Sequence, residues 1–266
     1  QPFHGMQGEA VIAATPLRSS WKPEERITPM MTSVIVPAHN EAENIRQCVA
    51  AARREYAATQ VEVIVVDSAS SDGTAELVPP GVTLLQSSRG RAAAMNRGAH
   101  VSRGEILVFC HGDSQLPARW REAVIEALSR PGVSGGAFQS RLEPEVGLLR
   151  IGNRLRLPAY WPFILGDQAQ FMSRATYERV GGFPDIPLLE DVEMARALHE
   201  VGKLVRIPLR VATSSRRFQE RGVLRQLLED IWLEFRYLWL GASAEDIALC
   251  YVSSRERASE SDVAAT

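Results

Sequence analysis

The sequence predicts an α/β fold in which helices cover both faces of a mostly parallel sheet. Short apolar runs of strand length alternate with segments of helical spacing through the first half of the chain. Small polar residues follow several of these runs directly. In open α/β sheets ligands bind just beyond the carboxyl ends of the strands, so the polar residues predict a binding edge.

Four strands are expected before residue 118. They are Ser33–Pro37, Val61–Val66, Val82–Leu85 and Ile106–Cys110. Helical segments follow near 45–52, 89–100 and 117–128. The pair Asn40 and Glu43 is typical of a helix N-cap. Right-handed crossovers would align Asn40, Asp67 and Asp113 along one edge of the sheet.

The pattern changes after Pro131. Further strands are expected at 135–138, 168–173, 204–207 and 210–213, and helices at 147–157, 190–201 and 223–240. The two glycines at 135–136 indicate close approach of a neighbouring backbone. The C-terminal helix is rich in Trp, Leu and Phe, and we expect it to pack on the rest of the chain. A homodimer contact and an interfacial membrane contact are the alternatives.

Composition narrows the classes of function. The chain has 266 residues and a net charge of −2, which indicates no strong attraction to nucleic acid or to an anionic membrane. Cys48, Cys110 and Cys250 fit neither a metal-ligand spacing nor a disulfide framework, as expected in a reducing compartment. The most apolar stretch, 231–240, is broken by charged residues and is too short to span a bilayer. We expect a cytoplasmic protein, or one peripheral to the inner membrane.

Five segments in order resemble family 2 glycosyltransferases of the GT-A fold. They are VIVPAHNEAENI (34–45), VVDSASSDGT (65–74), SRGRAAAMNRGA (88–99), LVFCHGDSQLP (107–117) and GGFPDIPLLEDVEMARAL (181–198). Three further segments, GDQAQFMSR (166–174), IPLLEDVE (186–193) and TSSRRFQERGVLR (213–225), resemble a bacterial branch associated with radical-SAM and selenium-related proteins. The resemblance implies the GT-A fold, a nucleotide-sugar donor and sugar transfer.

The resemblance also implies a domain organisation. Residues 1–31 mix Gly, Pro, Ser and charge without periodicity, and are expected to be a flexible or added tail. Residues 32–220 would form the catalytic domain, with a nucleotide-binding half at 32–117 and an acceptor half at 131–220. The remaining segment, 221–266, would hold the C-terminal amphipathic helix and a tail.

The donor side is implied by the ends of the first two strands. Pro37, Ala38, Asn40 and Glu41 offer backbone amides and a carboxylate, which the resemblance assigns to the base and ribose of the donor. Asp67 comes directly off an apolar strand, and the resemblance implies that it accepts the imide N–H of uracil. The alternatives are that Asn40 and Glu41 only cap a helix and that Asp67 only begins a turn.

Phosphate and metal binding are implied further along the chain. Arg91 follows Gly90 at a helix start, which favours phosphate, although a solvated surface role is the alternative. Asp113 is the second acid of the family's Asp-x-Asp position, and His111 stands where the first acid is expected. Mg²⁺ or Mn²⁺ can be held by one carboxylate plus substrate phosphates. His111 is either a further ligand, more natural for Mn²⁺, or a hydrogen-bonded residue at a strand end.

The resemblance places the general base at Glu190-Asp191. We assign Asp191 as the base and Glu190 as its support, and the reverse order is the alternative. Acids at a helix N-terminus also favour the macrodipole, which is the structural alternative. The acceptor or diphosphate side is expected to include Gly166, Asp167, Gln168, Arg216 and Arg217.

The expected activity is that of an inverting glycosyltransferase with a nucleotide-diphospho-sugar donor, most simply UDP-linked, and a small-molecule or lipid-linked acceptor. A nucleotidyltransferase of similar architecture is one alternative, but the segment 34–41 lacks the glycine-rich basic loop that such an enzyme would need. A non-catalytic nucleotide-sugar-binding protein with a degenerate metal motif is the other.

Overall fold

The computed structural model describes residues 30–88, 90–145, 147, 149–154 and 158–251. The expected N-terminal tail, part of the expected helix at 147–157 and the C-terminal tail after 251 lie outside these ranges. Within them, no helix combines the length and the apolar character needed to cross a bilayer.

Eight strands of the described chain form one sheet. They are β1 (Thr32–Ala38), β2 (Val61–Asp67), β3 (Thr83–Gln86), β4 (Ile106–Phe109), β5 (Ser114–Gln115), β6 (Val133–Glu143), β7 (Gln170–Ser173) and β8 (Lys203–Ser214). Their order across the sheet is β3-β2-β1-β4-β7-β6-β8-β5. Strand β1 is parallel to its neighbours β2 and β4, and β2 is parallel to β3. Strand β7 is antiparallel to its neighbours β4 and β6, and β6 is parallel to β8.

The helices alternate with these strands as expected for an α/β fold. They are α1 (Ile45–Arg53), α2 (Arg91–Val101), α3 (Trp120–Leu128), α4 (Leu149–Gly152), α5 (Arg174–Val180), α6 (Glu190–Val201), α7 (Arg216–Arg221) and α8 (Val223–Leu240). Residues 244–251 are also helical. One apolar core lies on the sheet face covered by α1 and α3, and a second lies on the face covered by α2 and α6.

Sequence patterns set the strands of the nucleotide half. All seven residues of β1 are buried, as expected for a central strand with helices on both faces. Its register places Ala38 opposite Asp67, so the ends of β1 and β2 meet at the same edge. The loop after β4 joins this edge, since the Gly112 N–H donates to the Pro37 carbonyl at 3.2 Å. The predicted binding edge is therefore formed.

The glycine pair at 135–136 marks a close backbone contact, as the sequence indicates. A Cβ on Gly136 would lie 2.0 Å from the carbonyl oxygen of Val205 in β8. A Cβ on Gly135 would lie 2.7 Å from the carbonyl oxygen of Phe171 in β7. Both distances are far below any real contact, so only glycine lets β6 lie between these two strands.

The two short strands expected at 204–207 and 210–213 are wrong, because they form the single strand β8. Phe138 of β6 pairs with Ile207, and the next residue, Gln139, pairs with Arg210. The two skipped residues include Pro208, whose nitrogen has no hydrogen to donate to the ladder. The irregularity therefore interrupts pairing without ending the strand.

One expected helix cap, one helix start and one strand start are also corrected. Asn40 does not cap α1, which begins at Ile45; it adopts a left-handed backbone (φ 55°) and its side chain accepts from the Ser71 N–H at 2.9 Å. The third helix begins at Trp120 and not at Pro117, because Arg119 is also left-handed. Residue 168 ends a 3₁₀ turn, Gly166–Gln168, and β7 begins two residues later.

Candidate active site

The donor side is built from two loops that are tied together by hydrogen bonds. The Asn40 N–H donates to the Ser70 hydroxyl at 2.9 Å, and the Glu41 N–H donates to the Thr74 hydroxyl at 2.8 Å. The Ser68 N–H donates to the Ala38 carbonyl at 2.8 Å. The loop after β1 is thus held in place by the loop after β2.

Asp67 stands at the end of β2 and is 2% exposed. One carboxylate oxygen accepts from the Ser70 hydroxyl, and the other lies 3.4 Å from the Ser70 N–H. The sequence prediction places Asp67 at this edge correctly. In this structure its carboxylate oxygens bond to Ser70. Its contact with a nucleotide base stays a prediction.

The loop after β4 carries the metal-site candidates. Asp113 accepts from the Ser114 hydroxyl at 3.0 Å through Oδ1, and its carbonyl accepts from the Ser214 N–H at 3.1 Å. Gly112 allows this loop to approach the donor side, since a Cβ there would lie 3.1 Å from Glu41 Cγ. Asp113 is therefore fixed between the first loop and the end of β8.

His111 faces the acceptor half of the site. A Cβ on Gly166 would lie 2.5 Å from His111 Cε1 and 3.0 Å from Asp191 Oδ2. Because Gly166 has no side chain, both of these side chains can lie against it. Met95 and Phe109 line the same small pocket. Burial and, after it, the nearby Arg91 guanidinium together lower the pKa of His111 to about 3. His111 is therefore neutral at physiological pH.

Asp191 is buried at the first turn of α6. Its Oδ2 accepts from the Gly166 N–H at 2.5 Å and its Oδ1 accepts from the Val192 N–H at 2.9 Å. Gln170 of β7, which the sequence analysis missed, donates to the Asp191 carbonyl at 2.8 Å. These contacts fix the carboxylate against the turn that carries Gly166.

Glu190 forms an ion pair with Arg91, whose Nε lies 2.8 Å from Glu190 Oε1. The glutamate side chain is 1% exposed and the arginine side chain 39%. Burial raises the pKa of the Glu190 carboxyl, and Arg91 opposes that shift. The structure brings Arg91 to Glu190, beside Asp191, and the expected contact of Arg91 with the nucleotide stays a prediction.

Asp167 lies near the carboxylates of Asp191 and Asp113. Burial and, after it, the neighbouring carboxylates of Asp191 and Asp113 together raise its pKa to about 6. Its buried Oδ1 has no hydrogen-bond partner among the described residues. The adjacent Gln168 is 1% exposed and accepts from the Arg206 guanidinium at 2.7 Å. Of these two residues, Asp167 is the one placed near the other site acids.

Arg206 was not expected from the sequence, but it anchors the loop before β7. Its guanidinium donates to the carbonyls of Phe163, Phe138 and Pro158 at 2.6, 3.0 and 3.2 Å, besides Gln168. One side chain of β8 therefore holds both ends of the segment from 158 to 168.

Arg216 and Arg217 reach the site from α7. Arg216 lies 3.4 Å from Glu41 Oε1, which links the start of α7 to the loop after β1. Burial and, to a smaller extent, the Asp113 carboxylate together raise the pKa of Glu41 to about 7. Arg217 donates to the Tyr251 hydroxyl at 3.1 Å. The two arginines are placed on the side of Asp113 and Glu41.

Helix α8 contributes an acid that the sequence analysis missed. Burial raises the pKa of Glu234, and the charges of Asp191, Asp230 and Asp167 contribute to the same shift. The resulting pKa is about 7. The next turn is fixed to α6, since the Tyr237 hydroxyl donates to Glu193 at 2.8 Å. Glu234 and Asp230 are four residues apart on the side of the helix that faces the body of the protein, and this helical spacing is a signal that could have indicated them.

The residues fit a divalent cation only if the substrate helps to bind it. No group of three or more His, Cys, Asp or Glu in the described part of the chain could hold a metal ion by itself. One or two carboxylates with substrate phosphates suffice for Mg²⁺. Asp113 and the orphaned oxygen of Asp167 offer such a pair.

Comparison with known proteins identifies the family. The model of glycosyl transferase family 2 matches residues 33–174, which is more than half of the chain. The chain is 37% identical over 110 residues to glycosyltransferase AglE of Haloferax volcanii, covering 38% of the chain and 36% of that protein. It is 24% identical over 217 residues to the probable glycosyltransferase YdaM of Bacillus subtilis, covering 70% and 50%. The chain thus spans half or less of the length of these relatives.

Solved structures confirm the GT-A fold. A mannosyltransferase from Pyrobaculum calidifontis, in complex with GDP-Man and Mn²⁺, superposes with a TM-score of 0.57 at 24% identity, covering 82% of this chain and 69% of that one. Residues 1–349 of TarS from S. aureus give 0.57 at 15% identity, covering 78% and 66%. The matched segment contains β1 to β7 and the donor edge. The chain belongs to glycosyl transferase family 2.

Proposed function

We propose that the protein is an inverting glycosyltransferase that moves a sugar from a nucleotide-diphospho-sugar, UDP-linked, to an acceptor hydroxyl or other nucleophile. The observation that carries the proposal is the position of Asp191, which is fixed against Gly166 beside His111. His111 begins the loop that ends at Asp113 and contacts the donor edge. A base is thus held next to the place where a donor would lie.

Asp191 would act as the general base. Two backbone N–H groups, those of Gly166 and Val192, orient its carboxylate. The acceptor oxygen attacks the anomeric carbon as Asp191 takes its proton, and the bond to the nucleoside diphosphate breaks on the opposite face. A single displacement of this kind inverts the anomeric centre.

The neighbouring charges have distinct roles in this proposal. Arg91 balances Glu190, which leaves Glu190 as a support for Asp191 and not as a second base. Arg216 now contacts Glu41, and Arg217 donates to the Tyr251 hydroxyl. Each guanidinium would bind the diphosphate after giving up that contact. Asp113, with Asp167, would hold a Mg²⁺ or Mn²⁺ ion, which when bound neutralises charge on the diphosphate. His111 is left out of the metal shell.

The remaining assignments are part of the same proposal. The partners are the donor, a small-molecule or lipid-linked acceptor, and a second copy of the chain bound through α8. The proposed location is the cytoplasm, with peripheral contact to the inner membrane as the alternative. Within the family, the proposed branch is the one associated with radical-SAM and selenium-related proteins. The UDP preference rests on Asp67, while similar structures contain GDP-Man or UDP-GlcNAc.

A nucleotide-sugar screen tests the proposal. Thermal unfolding is measured with UDP- and GDP-sugars, with and without Mn²⁺, and turnover is followed as release of nucleoside diphosphate. Stabilisation by a UDP-sugar together with its slow hydrolysis supports transfer. Binding without any turnover would instead indicate a non-catalytic binding protein. Release of pyrophosphate from a nucleoside triphosphate and a sugar phosphate would indicate a nucleotidyltransferase.

A further inference from the structure

The outer face of α8 is a continuous stripe of exposed apolar side chains. The stripe consists of Leu224, Leu228, Ile231, Trp232, Phe235 and Trp239, which are 43–71% exposed. Trp232 and Phe235 stack with ring centroids 5.9 Å apart. The opposite face of the helix packs on the body of the protein through Leu233, Tyr237 and Leu238. Among the described residues, the body of the protein therefore packs on one side of this helix and leaves the stripe exposed.

The stripe is symmetric about its own centre. Counted from the midpoint between Ile231 and Trp232, Leu228 and Phe235 are equally distant, and so are Leu224 and Trp239. In a two-fold contact residue i of one chain meets residue j of the other while j meets i. An antiparallel pair of α8 helices centred on this midpoint would place each stripe residue opposite another stripe residue.

The exposed area reaches the size of a small protein–protein contact. Aromatic side chains carry roughly 150–250 Å² and aliphatic ones roughly 60–120 Å², so the exposed fractions sum to roughly 360–640 Å² per chain. Two such faces bury about 700–1,300 Å² when they cover each other completely, and the upper part of this range is the lower end of specific protein–protein interfaces. The largest exposed apolar patch on a typical monomer is about 300–600 Å² and often marks an interaction site.

The charges of α8 favour a protein partner over a lipid surface. Its charged residues are Arg225, Glu229, Asp230, Glu234 and Arg236, so acids outnumber bases. An interfacial membrane helix has a polar face rich in Lys and Arg. Glu229 is paired with Arg225 at 3.1 Å, which removes that arginine as an anchor for anionic headgroups.

We propose that two copies of the chain associate through α8 in an antiparallel, two-fold contact in which Leu228 of each copy faces Phe235 of the other. The contact is independent of the transfer reaction. It also has a consequence for the site, because Glu234 lies on the inner face of the same helix. A second copy would hold that helix against α6 from outside.

The register can be tested by exchanging charges. Sedimentation velocity on the full chain measures the monomer–dimer equilibrium of the wild type, of Leu228→Glu, of Phe235→Arg and of the double variant. Each single change places like charges or a lone charge in the contact and should weaken dimerisation ~100-fold. The double variant should recover most of it, because Glu and Arg then face each other across the two-fold axis. Val101→Glu, at an exposed apolar residue of α2, is the matched control.

Three results would overturn the proposal. One is a wild-type monomer at micromolar concentration, including one that binds anionic vesicles in flotation, which would assign the stripe to a lipid surface. Another is a dimer that neither single variant weakens. The third is loss of the dimer without recovery in the double variant, which would exclude the antiparallel register. Circular dichroism melting of every variant separates these results from unfolding.

Discussion

At the scale of single residues, the assignment of Asp191 is the one most directly open to test. Its carboxylate accepts two backbone N–H bonds, and an amide of the same shape can keep only part of that arrangement. We expect Asp191→Asn to lower kcat by about 10²–10⁴-fold, because the base is lost while the donor edge is untouched. Turnover of the nucleotide-sugar and calorimetric titration of the donor measure the two effects.

Glu200→Gln, an exposed acid on the last turn of the same helix, is the matched control and should leave turnover unchanged. Full activity of Asp191→Asn with normal donor binding would show that another group removes the proton. In that event Glu190 would be examined next, through the Glu190→Gln variant.

Glu234 should make stability depend on pH. Burial raises its pKa to about 7, whereas an unfolded glutamate titrates near 4.5. The folded state therefore binds more protons between these values, and its stabilising contribution, complete below 4.5, is lost as the pH rises through 7. We expect Glu234→Gln to be more stable than the wild type by about 1 kcal/mol at pH 8 and equal to it at pH 4.5. Urea unfolding at the two pH values measures the difference.

The exposed Glu245 provides the comparison, since Glu245→Gln should give the same stability difference from the wild type at both pH values. If Glu234→Gln also behaved identically at pH 4.5 and pH 8, Glu234 would not be a buried titrating group.

At the scale of elements, the contact between β6 and β8 depends on Gly136. An added methyl group would lie 2.0 Å from the Val205 carbonyl oxygen, which belongs to a strand that cannot move alone. We expect Gly136→Ala to lower the free energy of unfolding by about 3 kcal/mol or more. Gly152→Ala is the control, because no atom of the described residues lies within 4 Å of a Cβ there, and it should change stability by less than about 1 kcal/mol. Equal effects of the two substitutions would contradict the close approach.

Elements with a strong local pattern are predictable from the sequence. The bounds of α6 and α8 are as predicted, because apolar residues at helical spacing lie between clear breaks. Helix α5 was missed although it has local signals: Ser173 accepts from the Thr176 N–H at its start, and Gly181 ends it with a left-handed backbone. The single strand β8 could not be foreseen, because its continuity depends on β6.

The residues of the site also differ in how far the local sequence predicts them. Residues that follow directly from a strand or helix end, such as Asp113 and Asp191, are predictable by position. Gln170, Arg206 and Glu234 are not, because each acts through a partner far away in the sequence. The pairing of Arg91 with Glu190 spans 99 residues and is likewise invisible to local patterns.

At the scale of the whole molecule, ligand binding should appear as added stability. Donor and Mn²⁺ at 100 times their dissociation constants stabilise a folded protein by about 2.7 kcal/mol, or roughly 5–10 °C in Tm at this chain length. We expect Asp113→Asn to lose the part of this shift that requires the metal and to keep the metal-independent part. Differential scanning fluorimetry with donor alone and with donor plus metal separates the two.

The control is Asp185→Asn, at an exposed acid outside the site, which should retain the complete shift. An Asp113→Asn protein that still responds fully to Mn²⁺ would remove Asp113 from the metal site.

The contact between Glu41 and Arg216 has a consequence for biosynthesis. The two residues are 175 positions apart, so the loop after β1 gains its arginine only after residue 216 has been made. Strand β4 also has an open edge until β7 pairs with it. A nascent chain that ends near residue 117 would carry this edge uncovered, and uncovered edges of buried strands promote aggregation. The strands made first therefore depend on partners that are made much later, and we expect the chain to be most prone to aggregation in the interval between the two.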